Sequence, residues 1–220
     1  MQFLIEPMRS FYIEKYPIQS LFSFPINPYI QVVQFDRGEF IFKEGTYPDY
    51  MFYLVEGKAK LYVTQKNGNV SLLNFLHPPI FMGEIELLNE ERYSRGIQAA
   101  TKVICLAIPI HACKDKLLSD ATFLKYLCIF LSKKQTSFTS RYAENQAFPL
   151  INRLASFILI SADQDIYKEK HTEVCEYLGV SYRHLLHVLA QLCDAEIIEK
   201  QSRSYKIVDK NRLQELAKEV

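Results

Sequence analysis

The spacing of apolar residues divides the chain in two. From Gln31 to Pro109 they fall in short runs rich in β-branched and aromatic side chains, at 32–35, 40–42, 50–55, 58–64, 70–76 and 103–108, the pattern of strands. Turn signals separate the runs: Asp36-Arg37-Gly38, Glu44-Gly45, Glu56-Gly57 and Asn67-Gly68. Six of the seven glycines lie between Gly38 and Gly96, as in a compact sheet with tight corners. Asn67-Gly68 is the strongest hairpin signal. The expectation is an all-β roll or small barrel.

After Pro109 the period changes. Between Ala121 and Asn145 there is no proline or glycine, and Leu124, Leu127, Leu131 and Phe138 fall on one face at helical spacing. The pattern predicts a helix over 121–145, about 37 Å long. Such a helix outruns a small domain, so those four side chains are expected to pair with a second copy; a core helix packed on its own domain is the alternative. Lys134, Arg141 and Asn145 continue the seam. Pro149 opens another helix, over 150–161, with Leu154, Phe157 and Ile158 inward.

The stretch HTEVCEYLGVSYRHLLHVLAQ carries the candidate chemistry. A short helix over 173–178 ends at Gly179, suited to a left-handed closing position. Ser181 then caps a second helix. Val174, Leu178, Val180, Leu185, Val188 and Leu189 form the shared inner surface of this helix-turn-helix. Outside remain Tyr182, Arg183, His184, His187 and Gln191. In a major groove, Arg183 with Tyr182 and His187 would read base edges; a solvated polar helix face is the plainer alternative. Two strand-like runs, 197–200 and 205–208, flank the polar turn 201–204 as a wing, and Asp209 can cap a last helix containing Leu213 and Leu216. His171, Thr172, Ser181, His184, Arg203 and Lys206 are candidate contacts to the DNA backbone.

Charge changes this picture little. There are 26 basic and 25 acidic residues, so no global field favours nucleic acid, and 146–220 holds 10 Lys and Arg against 11 Asp and Glu. Attraction to DNA must be local. The first residues do not form a secretory signal and no apolar run is long enough to span a membrane, so a cytoplasmic protein is expected. Five scattered cysteines without a CxxC pair argue against a disulfide framework or zinc ribbon and are expected mostly in cores. A metal-dependent oxygenase on a β-roll would need clustered His and carboxylate ligands; the strands hold only His77. No metal site and no enzyme activity are expected.

In this order the parts resemble the Crp/Fnr superfamily of transcription regulators, over about residues 30–218. FDRGEFIFKEG, MFYLVEGKAKLYV and MGEIELL carry the roll, and LGVSYRHLLHVLAQL with KIVDKNRLQELA carries the helix pair, wing and closing helix. Within the superfamily the chain is most similar to the YeiL branch, through FYLVEGKAKLY, MGEIELL, NQAFPLINRLASFILI and EYLGVSYRHLLHVLAQ. The resemblance implies an α+β chain: a sensor domain built as a double-stranded β-helix (jelly-roll) in 1–119, a dimerisation helix over 120–145 and a winged helix-turn-helix in 146–220. It implies a homodimer on an inverted-repeat site in double-stranded DNA, with RNA polymerase as partner and an unidentified small-molecule effector at the roll.

For the effector pocket the resemblance points to Gly83, Glu84, Tyr93, Ser94, Phe138 and Thr139. Glu84 and Ser94 match the glutamate that holds ribose and the serine beside the phosphate-gripping arginine in nucleotide-binding members. That arginine position is Tyr93 here, and Phe138-Thr139 stand where the purine is contacted. Cyclic AMP is therefore not expected as effector. Neither is an iron–sulfur cluster, since no cysteine precedes Cys105. His77 and His111 are haem-ligand candidates by residue type alone. A nucleotide-binding-like module whose winged helix binds protein instead of DNA is the second reading.

Overall fold

A strand that is apolar at every position is buried on both faces, and one of these, residues 103–109, runs through the centre of the roll. The structure is a computed structural model describing residues 1–66, 68, 70–89 and 94–218, with the side chains at 137, 138, 141, 142, 144–146 and 218 outside that description. It divides into two compact units: Met1–Asn69 with Leu73–Lys134, and Val70–Leu72 with Gln135–Val220.

The first unit begins with β1 (Gln2–Leu4), α1 (Met8–Lys15), β2 (Gln31–Phe35), β3 (Phe40–Phe42), β4 (Tyr50–Glu56), β5 (Ala59–Thr64), β6 (Val70–Leu76) and β7 (Ile80–Met82). It continues through α2 (Glu84–Leu88), β8 (Gly96–Ala99), β9 (Val103–Pro109), α3 (Ile110–Ser119) and α4 (Ala121–Ala147), the last shared with the second unit. One sheet runs β1-β2-β9-β4-β7 and the other β3-β8-β5-β6. Alternation along each central strand assigns its two faces. Val103, Cys105 and Ala107 of β9, Phe52 and Leu54 of β4, and Val33 and Phe35 of β2 form the core inside the roll. Ile104, Leu106 and Ile108, Met51, Tyr53 and Val55, and Val32 form a second core on the other face.

That second core is closed by helices and by the N-terminal segment. Ile18, Phe22, Ile26 and Ile30 join it, as do Cys113 and Leu117 of α3 and Phe123 and Leu127 of α4. Phe123 stacks on Phe22 with ring centroids 5.0 Å apart and meets Phe81 edge-on at 6.0 Å.

The second unit packs α5 (Leu150–Ser161), α6 (His171–Leu178), α7 (Tyr182–Asp194) and α8 (Lys210–Lys218) on a small sheet. Its strands are β10 (Ile166–Tyr167), β11 (Ile198–Lys200) and β12 (Tyr205–Ile207), in the order β10-β12-β11. Leu154, Phe157 and Ile158 of α5 are buried as expected, with Leu185, Val188, Leu189 and Leu213. Asp209 caps α8 by accepting the Arg212 amide at 3.0 Å.

Several expectations are corrected. Helical spacing places Leu127 between two subunits, but it is 1% exposed within this chain's own core, and Leu124 and Leu131 pack against the same core. Helical periodicity identifies an apolar face without saying what covers it. Gly96 lies within β8, not at a corner: a Cβ there would collide with the Tyr62 ring, so glycine permits the cross-strand ring to lie over it. Of the cysteines, Cys105 and Cys113 are buried, Cys175 and Cys193 are partly exposed and Cys128 is exposed. The Asn67-Gly68 signal falls partly outside the described residues; Gly68 has φ 82 and its amide donates to the Gln65 carbonyl at 2.8 Å.

Asp120 holds the start of α4. Its carboxylate accepts the Thr122 amide at 2.9 Å and the Ser23 amide at 2.8 Å, capping the helix and tying the N-terminal segment to it. Burial alone would raise the Asp120 pKa; hydrogen bonds from Ser23, Phe123 and Thr122 outweigh it and hold the carboxyl below its ordinary value. A lowered folded-state pKa gives stability that is present at neutral pH and lost as pH falls through that value. Asp120→Ala is expected to destabilise the chain by about 1–2 kcal/mol at pH 7 in urea denaturation. The difference from wild type should shrink below about pH 4, and a difference undiminished at lower pH contradicts this account.

Candidate nucleic-acid interface

The helix pair is fixed by local rules that the sequence obeys. Gly179 closes α6 with φ 64, and the Gly179 and Val180 amides donate to carbonyls of the last turn, a closing geometry that favours glycine. Ser181 caps α7, its hydroxyl oxygen accepting the His184 amide at 3.2 Å. Arg153 of α5 donates to the Leu178 carbonyl at 2.6 Å and the Phe148 carbonyl at 3.0 Å, placing a cation at the end of α6, where the helix dipole favours it. Asn152 donates to the Leu216 carbonyl at 3.0 Å and ties α8 to the same helix.

With Leu185, Val188, Leu189 and Leu192 inward, α7 leaves Tyr182, Arg183, His184, His187 and Gln191 exposed. Tyr182, Arg183 and His187 share one face. Leu186, 40% exposed, lies on that face and was not foreseen; it is an apolar group among hydrogen-bonding ones.

Beside the start of α7 is a groove of about 380 Å³ between the wing and the helix pair. Lys168, Lys170, Lys200 and Arg203 line it against a single acid, Glu169. The domain's charge balance conceals this local excess, and the YKEK run before α6 is the signal for it. His171, Thr172 and Tyr182 line the groove as well. Burial, and then the Lys200 charge, hold the His171 pKa below its ordinary value. Tyr205 and Tyr182 flank the His171 ring, with centroids 6.1 and 5.8 Å away. The wing turn is closed by the Gln201 amide donating to the Ser204 carbonyl at 2.8 Å. Lys206 is not brought into the groove: it alternates with buried Tyr205 and Ile207 and lies opposite Glu199, so it occupies the other face of the strand.

At the roll, the residues expected to form a pocket are already engaged. Gly83 has φ 90, and a Cβ there would meet Phe42 at 3.0 Å. Glu84, 1% exposed, pairs with Lys134 at 2.6 Å. The Ser94 hydroxyl lies 2.9 Å from the Lys43 carbonyl and 2.7 Å from that of Thr46. Thr139 donates to the Gln135 carbonyl of its own helix at 2.9 Å. Tyr93 and the Phe138 side chain lie outside the described residues. Among the described residues no three His, Cys, Asp or Glu side chains gather as a metal site, and no helix is long and apolar enough to cross a membrane.

A two-sheet roll followed by a long helix and a winged helix-turn-helix defines the class of one-chain transcription regulators with a sensor-type roll. Family models agree: residues 32–120 match the cyclic nucleotide-binding domain and 152–216 the Crp-like helix-turn-helix domain. The chain is 46% identical over 190 residues to the regulatory protein YeiL of Escherichia coli O157:H7, covering 86% of this chain and 87% of that protein. It is 21% identical to a CRP-like cAMP-activated global transcriptional regulator of Mycobacterium tuberculosis, covering 84% and 87%. A CRP/FNR-family transcriptional regulator of Thermus thermophilus shares the fold with TM-score 0.69 at 23% identity, covering 85% of this chain and 98% of that one. The chain belongs to the Crp/Fnr family of transcription regulators.

Proposed function

We propose that the chain is a cytoplasmic, non-enzymatic regulator that binds an inverted-repeat site in double-stranded DNA as a homodimer, responds to an unidentified small-molecule signal at the roll, and acts on RNA polymerase. The observation that carries DNA binding is the exposed α7 face set beside a groove lined by Lys168, Lys170, Lys200 and Arg203. A cationic groove next to a helix presenting hydrogen-bonding side chains suits phosphates on one side and base edges on the other.

Arg183 is assigned to a guanine, with Tyr182 and His187 reading neighbouring positions and Leu186 suited to a thymine methyl group. Arg203, His171 and Thr172 of the groove are assigned to phosphates, with His184 at the start of α7. Ser181 holds the helix end that approaches the backbone, and its hydroxyl oxygen is already engaged in the cap. Lys206 is left to a phosphate beyond the groove or to none.

For the dimer, the stripe of α4 left outward is Lys125, Ile129, Ser132 and Thr136, all exposed and spaced by three and four residues, the repeat of a two-helix seam. Ile129, 49% exposed, is its apolar anchor. Leu127 and its neighbours serve the roll, and Phe138 remains a candidate further along the helix.

Two experiments follow. Ile129→Glu should give monomers in sedimentation equilibrium with the thermal unfolding of the roll unchanged, whereas Leu127→Glu should unfold it; a dimer undisturbed by Ile129→Glu removes this seam. Binding selection from random DNA should yield an inverted repeat with half-sites about 10–11 base pairs apart, centre to centre. Arg183→Ala should lose about 1–3 kcal/mol and relax preference at one base pair, while Arg203→Ala should weaken all sequences alike and reduce the salt slope by about one. An unchanged sequence logo with Arg183→Ala would falsify its role in base reading.

A further inference from the structure

A carboxylate as buried as that of Glu84 is tolerated when a cation or several donors meet it. Here the cation comes from 50 residues further along the chain. The Lys134 ammonium donates to Glu84 Oε1 at 2.6 Å, with side-chain exposures of 19% and 2%. It also stands 5.6 Å from the centre of the Phe130 ring, which meets Phe81 edge-on at 6.3 Å. Glu86, also buried, has its pKa raised, first by burial and then by the Glu84 charge, with Lys134 opposing.

Two further observations give the pair a role. Glu84 and Ser94 both lie within the part of the chain that matches a cyclic nucleotide-binding domain, yet Glu84 is paired and the single proton of the Ser94 hydroxyl is taken by a neighbouring carbonyl. Lys134 is also the last residue of α4 that belongs to the roll unit; Gln135 belongs to the other.

We propose that Lys134 is a built-in ligand of the roll. Its ammonium fills the Glu84 position, anchors α4 on the roll with no small molecule bound, and excludes cyclic nucleotides from that position. A ribose hydroxyl arriving at Glu84 would replace a charge-assisted hydrogen bond by a weaker neutral one and would leave the ammonium without its partner. A signal received at the roll acts by parting this pair. The link to DNA affinity rests on the function proposed above; the anchor itself does not.

The test is amide hydrogen exchange over residues 121–134 of the full chain, dialysed free of small molecules, alongside DNA affinity. In wild type the segment should be protected, and millimolar cyclic AMP or cyclic GMP should change neither protection nor affinity. Lys134→Ala should raise exchange at least about tenfold and weaken DNA binding at least about tenfold; Lys134→Arg should keep both near wild type. The exchanged pair, Glu84→Lys with Lys134→Glu, should recover most of the protection, which a purely steric role of either side chain would not give. If Lys134→Ala does not fold, Glu84→Gln keeps the shape, removes the charge and carries the same expectation. Unchanged exchange in the folded variant overturns the proposal, as does slowing of wild-type exchange by either nucleotide. If wild type binds no DNA, the regulator reading fails, while the exchange result still decides the anchor.

Discussion

The packing of Phe123 and Leu127 against the five-stranded sheet is the interaction on which the rest of the first unit depends. It closes the core on the helix side of the roll, and removing a side chain such as Leu127 down to alanine costs about 2–5 kcal/mol. With those residues inward, helical geometry leaves no choice about the others: Ile129, Ser132 and Thr136 face outward and Lys134 faces Glu84. One helix of 27 residues therefore completes a core, anchors at a buried carboxylate and leaves Ile129, Ser132 and Thr136 exposed. Core and anchor share one face, seven residues apart, and the exposed stripe lies on another.

In the second unit the comparable constraint is electrostatic and local. A chain with formal charge +1 has no long-range field to draw it to a polyanion, and attraction must come from cations gathered within a Debye length of one another. Lys168, Lys170, Lys200 and Arg203 meet that condition because β10, the start of α6 and the wing converge on one groove. Gly179 and Ser181 then set the angle at which α7 leaves that groove, so turn chemistry and charge placement act on the same few residues.

Much of this was legible in the residues, where the rules are short-range. Gly179 and Ser181 marked the turn; the β-branched run of β9 marked a strand; the absence of proline and glycine marked α4. Non-local relations were not legible. Leu127 and Ile129 are both apolar and two residues apart, and only packing shows that the first belongs to the roll and the second faces outward. The Lys134–Glu84 pair joins segments 50 residues apart; each residue stood out separately, but nothing local to either names the other as its partner. β10 is two residues long, too short to carry a period, so its pairing with the wing and the groove it forms were hidden. Gly96 resembled a turn residue because a glycine beneath an aromatic ring and a glycine at a corner look alike in one dimension.

The central claim, that the groove and α7 together bind DNA through locally gathered cations, is tested most directly by the salt dependence of binding by the full chain to its selected site. With four cations per subunit at phosphates, the plot of log affinity against log salt should have a slope of about −4 for one subunit and about −7 for a dimer. Lys168→Ala with Lys170→Ala should reduce the slope by about two per subunit. Affinity that is independent of salt, or a slope unchanged in that variant, would contradict the account.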